Sequence, residues 1–435
     1  LAIALAKFKE ISPARLAAFN ILQQVETGAF SSVLLAADEP RLQPADRALC
    51  HELVLGVLRW QLRLDRIVEH FSKRRIESLD PAVRIALRLG LYQLRYLTRI
   101  PASAAVNESV SLVRIARLSS ATAFVNALLR RAIREEYDPV AAVSDPLERI
   151  AVETSHPVWL IDRWAKSFAM DEAESLALAN NLVPPTAFRI VSTKANESKV
   201  LAKLSAAGAR LESSEVVEGA WRVSAATAML RELSAAGEIY LQDEASQLVA
   251  LIVDAKPGER VLDLCAAPGG KTTLMADRSG DRAMIVAGDR SATRMVTVVT
   301  TMRLHGLGSV KPVLLDATEQ LPFDPGAFDK VLVDAPCSGT GTLRRNPEIR
   351  WRLSPGDFAP LSEQQKQILK RAVEMVKPGG RLIYSTCSVE TDENEQVIHD
   401  VLASDARFRS VTTVRTWPHR EGSDGFFVAA FERWG

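Results

Sequence analysis

The chain reads as a multidomain protein with an all-α N-terminal bundle (1–145), a small α/β middle module (146–235) and a C-terminal α/β portion (236–435) built on a mostly parallel sheet. Three observations predict this. At 435 residues the chain exceeds one ordinary core, and 47% hydrophobic with 25% charged residues is globular usage. The first 140 or so residues carry apolar positions at helical spacing throughout. Beyond 260, five short apolar runs alternate with helical patterns.

ISPARLAAFNILQQV offers Ser12 as a cap and Pro13 in the first turn, followed by Leu16, Phe19, Leu22 and Val25 on one face. PADRALCHELVLGVLRWQLRLDRIVEHF, PAVRIALRLGLYQLRYL and SSATAFVNALLRRAIREE repeat the design, with arginines opposite each apolar stripe. Pro139 and SDPLE interrupt it. Overall charge is balanced, 54 Lys plus Arg against 53 Asp plus Glu, yet residues 51–134 hold fifteen basic and six acidic side chains, a net +9. A solvated helical face accounts for this as well as a phosphate-contacting surface does.

In the middle module SHPVWLIDRWAKSF and DEAESLALANNL are helical, PPTAFRIVST turns to strand-forming residues, and ESKVLAKLSAAG returns to helix. The C-terminal portion then presents RVLDLC (260–265), AMIVAGD (283–289), KPVLLDA (311–317), FDKVLVDA (328–335) and RLIYSTC (381–387), the last after the amphipathic LSEQQKQILKRAVEMVKPGG. Continuous apolar strands separated by helices predict a parallel sheet covered on both faces, with ligands outside the carboxyl ends of its strands. The first four strands end at or near an aspartate, and the fifth at a cysteine.

DLCAAPGGKTTLMA places a Gly-rich turn after a strand, with a helix expected near Gly270 and close backbone approach at Gly269 and Gly270. It is not a P-loop, because Cys265 stands where the pattern requires glycine, and no GxGxxG occurs. Asp289 is placed to accept ribose hydroxyls, and Asp316 lies where an adenine edge would fall. Several carboxylates repel a triphosphate but favour a sulfonium, so S-adenosylmethionine is the expected ligand.

Cys337, in DAPCSGTG, and Cys387, in YSTCSVETDENEQ, both emerge at that ligand edge. A thiolate is useful where the methyl acceptor is an unreactive carbon: adding sulfur to carbon 6 of cytosine makes carbon 5 enamine-like. Asp334 beside ring nitrogen 3 would stabilise the adduct, and Lys271 would orient Asp334 or hold negative charge. Chemistry alone leaves open which cysteine attacks. A binding-only protein needs neither, a redox enzyme favours CxxC, and an amino-directed methyltransferase favours an aromatic after Asp-Pro-Pro. DNA and RNA both offer cytosine. Arg344, Arg345, Arg350 and Arg352, around Trp351, are the expected RNA contacts beside the site.

Four cysteines without metal-like spacing indicate a reducing compartment, and no metal is expected. No apolar run is long enough to span a membrane, and LAIALAKFKE is broken by lysine too early for a signal peptide, so a cytoplasmic protein is expected.

DLCAAPGGKT, DAPCSGTGTLRRNPEIRW, YSTCSVETDENE and GSDGFF, in this order, resemble the bacterial RNA cytosine-C5 methyltransferases, and with SSATAFVNALLRRAIRE the chain is similar to the RsmB/Sun family. The resemblance implies a NusB-like RNA-binding domain ahead of a Rossmann-like class I S-adenosylmethionine-dependent catalytic domain. It also implies 16S rRNA as partner before complete 30S assembly, cytosine 967 as target, and no obligate protein partner. Another rRNA site, a tRNA, or a non-catalytic RNA-binding role are the alternatives. It implies Cys387 as nucleophile, Cys337 in release, Asp334 on the base and Lys271 in support of the pocket. Cys265, Ala266, Ala267, Pro268, Gly269, Gly270 and Lys271 would line the methionine end of the cofactor. Asp289 would meet its ribose and Asp316 its adenine, with Arg294 and Asp334 nearby. Two departures stand out. Arg189-Ile190-Val191 lacks the family's asparagine, with a local effect expected on the linker or RNA surface. SATRMVTVVTTMRLHGLG is unusually threonine-rich for a helix.

Overall fold

The computed structural model describes residues 11–434; the signal-peptide question, which concerns 1–10, lies outside them. The chain forms two compact units, Leu1–Leu182 with Leu343–Leu353, and Val183–Thr342 with Ser354–Gly435.

In the first unit the bundle comprises α1 (Pro13–Glu26), α2 (Ser31–Asp38), α3 (Pro44–Arg59), α4 (Gln61–Ser72), α5 (Pro81–Tyr96), α6 (Ala102–Ile115) and α7 (Thr122–Arg134). It is followed by α8 (Pro146–Thr154), α9 (Val158–Phe168) and α10 (Met170–Ala179). Helix α5 is the central post, buried at nearly every position from Ala82 to Gln93. Gly90 permits this, since a Cβ there would lie 2.7 Å from Leu129 Cδ1. Pro13 opens α1 from Ser12 as expected, but the Ser12 side chain does not cap it. That hydroxyl instead accepts from Arg15 Nη1 at 2.9 Å, an arrangement the N1 proline permits because it has no N–H to satisfy. Arg88, buried on α5, pairs with Asp65 of α4 at 2.7 Å and Glu26 of α1 at 3.0 Å, so part of the arginine excess is internal wiring.

The second unit contains two sheets. The smaller is antiparallel, order β2-β3-β1-β4, from β1 (Thr186–Ile190), β2 (Arg210–Ser213), β3 (Ala220–Ser224) and β4 (Ile239–Leu241), with α11 (Glu197–Ala206) and α12 (Thr227–Ala235). Val191 just beyond β1 is fully buried and donates its N–H to the Glu238 carbonyl. The expected effect of the missing asparagine on an RNA surface is therefore corrected: the position packs inward, where an apolar side chain is at no cost.

The larger sheet has the order β10-β11-β9-β8-β5-β6-β7. Its members β5 (Arg260–Asp263), β6 (Met284–Asp289), β7 (Val310–Leu314), β8 (Phe328–Asp334) and β9 (Val376–Thr386) run parallel, while β10 (Phe408–Thr416) and β11 (Phe426–Arg433) close one edge antiparallel. Side chains alternate between two cores. Val331, Val333, Leu382 and Tyr384 meet α16 (Phe358–Met375) on one face. Val261, Leu332 and Ile383 meet α13 (Glu244–Val253) and α14 (Gly270–Arg278) on the other. The remaining helices here are α15 (Ala292–Leu304), formed despite its threonines, and α17 (Glu395–Leu402). The chain leaves β5 toward β6 on one side and later returns to place β8 on the other, so a crevice opens beyond their carboxyl ends.

Candidate active site

The turn after β5 is shaped by its backbone. Ala266 N donates to the Gly288 carbonyl at 2.8 Å and Gly269 N to Ala266 at 2.7 Å. Gly269 has φ +104°, and a Cβ on it would approach Val298 Cα to 3.2 Å, so glycine is required twice over. Helix α14 starts at Gly270. Asp289, buried at the end of β6, accepts from Ser291 N at 2.8 Å and Ala267 N at 3.3 Å. Arg294 Nη2 donates to the Ala267 carbonyl at 2.5 Å and its Nη1 lies 3.7 Å from Asp289, so it braces this turn. Asp316 accepts from Thr318 Oγ1 and N, which hold its carboxyl below the usual range. Cys265, Ala267, Asp289, Arg294 and Asp316 line one cleft of about 250 Å³ together with Asp334, Cys337 and Cys387. Cys265, Ala266, Ala267, Pro268, Gly270, Lys271 and Asp334 border an adjoining space of about 200 Å³, with Asp263. Gly269 lines neither; its part is conformational.

Strands β8 and β9 pair in parallel with Asp334 opposite Ser385, so the residues that follow leave the sheet side by side. Cys337 and Cys387 consequently approach to 3.3 Å between sulfurs. Asp334 accepts from Ser385 Oγ at 2.8 Å through Oδ1 and from Lys271 Nζ at 2.7 Å through Oδ2. Burial alone would lower the Lys271 pKa; the Asp334 carboxylate outweighs it and the net shift is upward, so the lysine stays charged. The Cys337 thiol is pushed well above the ordinary range by its hydrogen bond with Cys387 and by burial. The GSDGFF block has a structural part here. Gly341 N donates to the Cys387 carbonyl at 3.0 Å, Gly425 N donates to Gly341 O at 2.8 Å, and a Cβ on Gly341 would fall 1.8 Å from the Gly425 oxygen.

Residues 250–432 match the 16S rRNA methyltransferase RsmB/F family, 12–134 the NusB family, and 156–230 the RsmF/B-like ferredoxin-like domain. The chain is 33% identical to the probable ribosomal RNA small subunit methyltransferase B of Bacillus subtilis, across 98% of this chain and 100% of that one. It is 34% identical to ribosomal RNA small subunit methyltransferase B of Pseudomonas putida, across 95% and 97%. The chain belongs to the RsmB/Sun family. It is an S-adenosylmethionine-dependent rRNA cytosine-C5 methyltransferase, with a NusB-like bundle, a small α/β module and a Rossmann-like catalytic fold. Among solved structures, that of PH0851 is 28% identical with a TM-score of 0.85, covering 97% of this chain and 99% of that one.

The cleft of this RsmB/Sun protein suits the cofactor. Three carboxylates, Asp289, Asp316 and Asp334, face a space bordered by the glycine turn, a set that favours a sulfonium and hydroxyl donors over a polyphosphate. The arginine cluster is different. Arg350 is fully buried and donates to Asn181 Oδ1 at 3.0 Å and to the Ser155 and Asn180 carbonyls at 3.3 Å, and burial lowers its pKa to about 9. Arg344 is buried too. Their expected RNA contact is corrected: these guanidiniums lie inside the first unit. Trp351 is half-buried and donates to the Leu58 carbonyl at 2.7 Å, and it lines a groove shared with Arg352. Arg352 donates to the Val25 and Ala29 carbonyls yet also lines this groove, of about 940 Å³, with Arg66, Lys73, Arg74, Arg75 and Arg84. Arg345 is half-buried. Sequence reasoning missed Tyr240, Gln242 and Ser246 at the second space, and Asp263 as a buried acid. QDEAS, spanning the N-cap and first turn of α13, was the available signal.

No helix among the described residues is long and apolar enough to cross a membrane.

Proposed function

We propose that this protein methylates carbon 5 of cytosine 967 in 16S rRNA, before 30S assembly is complete and in the cytoplasm, with Cys387 as nucleophile. The observation that carries the assignment is the pair of sulfurs 3.3 Å apart at the ends of β8 and β9, beside the Lys271–Asp334 ion pair. When bound, S-adenosylmethionine supplies an electrophilic methyl group. Cys265 to Lys271 would hold its methionine end, Asp289 its ribose and Asp316 its adenine.

Cys387 Sγ, as the thiolate nucleophile, bonds to carbon 6 of the flipped cytosine, with the charged Lys271 in electrostatic reach of it. Negative charge builds at nitrogen 3, which takes a proton from water, and Asp334 accepts a hydrogen bond from the resulting nitrogen 3–H. Carbon 5 thereby becomes the nucleophilic atom. Once it is methylated, the carbon 5–hydrogen electron pair re-forms the 5,6 double bond as the bond from carbon 6 to Cys387 Sγ breaks. Cys337, 3.3 Å from Cys387, gives its thiol proton to the departing sulfur and takes up the carbon-5 proton. The NusB-like domain, taken as 1–145, and the module at 146–235 supply grip on RNA, supported by the arginine excess of the helical segment 51–134 and a groove where Lys73, Arg74 and Arg75 stand among residues of both charges. The catalytic domain, 236–435, supplies the chemistry.

The test is to map 5-methylcytosine by mass spectrometry on small-subunit rRNA incubated with protein and labelled cofactor. One modified cytosine, at 967, is expected. Methylation elsewhere in rRNA, or only of tRNA, would overturn the target. Cys387→Ala should lose turnover by about 10³-fold or more, and Cys337→Ala should accumulate an RNA–protein complex that survives denaturing gels. Normal turnover by Cys387→Ala would remove the nucleophile assignment.

A further inference from the structure

Each cysteine is followed by a serine, and both serines reach the same buried carboxylate. Glu393 lies beyond β9, in the acidic stretch ETDENE, and has no exposed surface. Its Oε2 accepts from Ser338 Oγ and Ser388 Oγ, both at 2.5 Å, and its Oε1 from Ser338 N at 2.8 Å and Gln365 Nε2 at 3.0 Å. The two hydroxyls are 3.2 Å apart. The Glu393 main chain is fixed as well, because its carbonyl accepts from the buried Tyr384 hydroxyl of β9 at 2.6 Å. Among the described residues no basic side chain pairs with this carboxylate; four hydrogen-bond donors satisfy it instead. An acid buried without a counter-ion carries a desolvation cost that a core-filling residue would avoid, so its placement asks for a role.

We propose that Glu393 is a positioning residue for methyl transfer: by joining Ser338 to Ser388 it fixes the distance between the Cys337 and Cys387 sulfurs and makes them unequal. This rests on the reading of those cysteines as the catalytic pair. The inequality has an electrostatic source as well as a geometric one. Glu393 bears on Cys337 and adds to the forces that keep it protonated. Lys271 bears on Cys387. Glu393 behind one sulfur and the Lys271 ammonium near the other place the two cysteines in unequal surroundings, with Cys337 the one held as a thiol.

The full-length enzyme carrying Glu393→Gln keeps the shape of the side chain and removes the charge. Its kcat should fall about 100-fold, the scale of a misplaced reacting group, while cofactor Kd and RNA KM stay within about twofold. Competitive alkylation with iodoacetamide, read on the two cysteine peptides by mass spectrometry, should show Cys337 gaining reactivity relative to Cys387 by several-fold, about tenfold for each unit by which its pKa relaxes. Ser388→Ala, which keeps the carboxylate and removes one donor, should lower kcat by roughly tenfold and provides the reading if Glu393→Gln does not fold. Wild-type kcat and an unchanged alkylation ratio in the folded variants would overturn the proposal. So would an equal rise at both cysteines, which marks general loosening. Cys387→Ala assayed in parallel separates the two claims: if it is inactive while Glu393→Gln is normal, only the Glu393 role fails; if it is active, the nucleophile assignment fails.

Discussion

Residues 334–341 and 343–353 follow one another in the chain, and both are rich in polar side chains, yet they use them in opposite ways. In the first, Asp334 and Cys337 leave the end of a parallel strand and line a cleft. In the second, Arg350 and Arg352 turn onto main-chain carbonyls, those of Ser155 and Asn180 in one case and of Val25 and Ala29 in the other. A strand end in a parallel sheet has no following turn of helix to satisfy, so its side chains are free to face a ligand. Helix ends leave carbonyls without partners, and a guanidinium with five donors is a ready way to satisfy several at once. The lesson is that a side chain's neighbours, more than its charge, decide whether it does chemistry or holds structure.

The comparison is broken most sharply by Asp334→Asn. With the charge gone, Lys271 loses its partner and the base its hydrogen-bond acceptor, so kcat should drop by about 10²–10⁴-fold. Thermal stability should change little, because Asp334 is partly exposed and its Ser385 hydrogen bond can persist. Single-turnover kinetics with a melting curve on the same sample checks both. A variant with full kcat would place Asp334 with the arginines, among the structural residues.

Arg350→Met tests the other side. Deleting the guanidinium strands several buried acceptors, each at about 1–3 kcal/mol, but it also removes the cost of burying a charge, visible in a pKa pulled down to about 9. The two terms oppose, and a net loss of about 2 kcal/mol is expected. Denaturant unfolding should show it, with kcat per folded molecule preserved. A variant of normal stability that bound RNA more weakly would restore the phosphate-contact reading.

The elements that were legible in the sequence are those set by local pattern. Continuous apolar runs ending in Asp263, Asp289 and Asp334 announce parallel strands, and Gly269-Gly270 announces the turn, because steric freedom at those positions is a property of the residue itself. The two cysteines were legible as a pair because adjacent strand ends must converge. What stayed hidden depends on partners far away in the chain. Glu393 sits in an acidic stretch with nothing local to mark it as interior, and the Ser338 that meets it lies 55 residues earlier. Arg350 finds its acceptors 169 to 195 residues away. Val191 reads as a departure at an RNA-facing linker and proves to be interior. The edge strand β10 is polar and carries a bulge between Ser410 and Thr412, so no periodicity marked it in advance.

Asp263 offers the finest test of the contrast, since it is a buried acid that belongs to the cleft. Its Oδ2 accepts from Thr272 Oγ1 at 2.7 Å and its Oδ1 has no hydrogen-bond partner. Burial pushes its pKa from 3.8 up to about 7, against the pull of Thr272. A carboxyl whose pKa is raised by folding contributes most favourably while it is protonated in both states, below about 3.8. That contribution is lost as pH rises, and the loss levels off once pH passes the folded value near 7. Asp263→Asn has no proton to lose, so the stability of the variant relative to the parent should climb over this window. Between about pH 6 and pH 8 the gap should widen by about 1 kcal/mol, with most of the change below pH 7. Paired urea unfolding curves across that range measure it directly. A gap that stays constant would mean that Asp263 is charged throughout, with Lys271 serving it as well as Asp334.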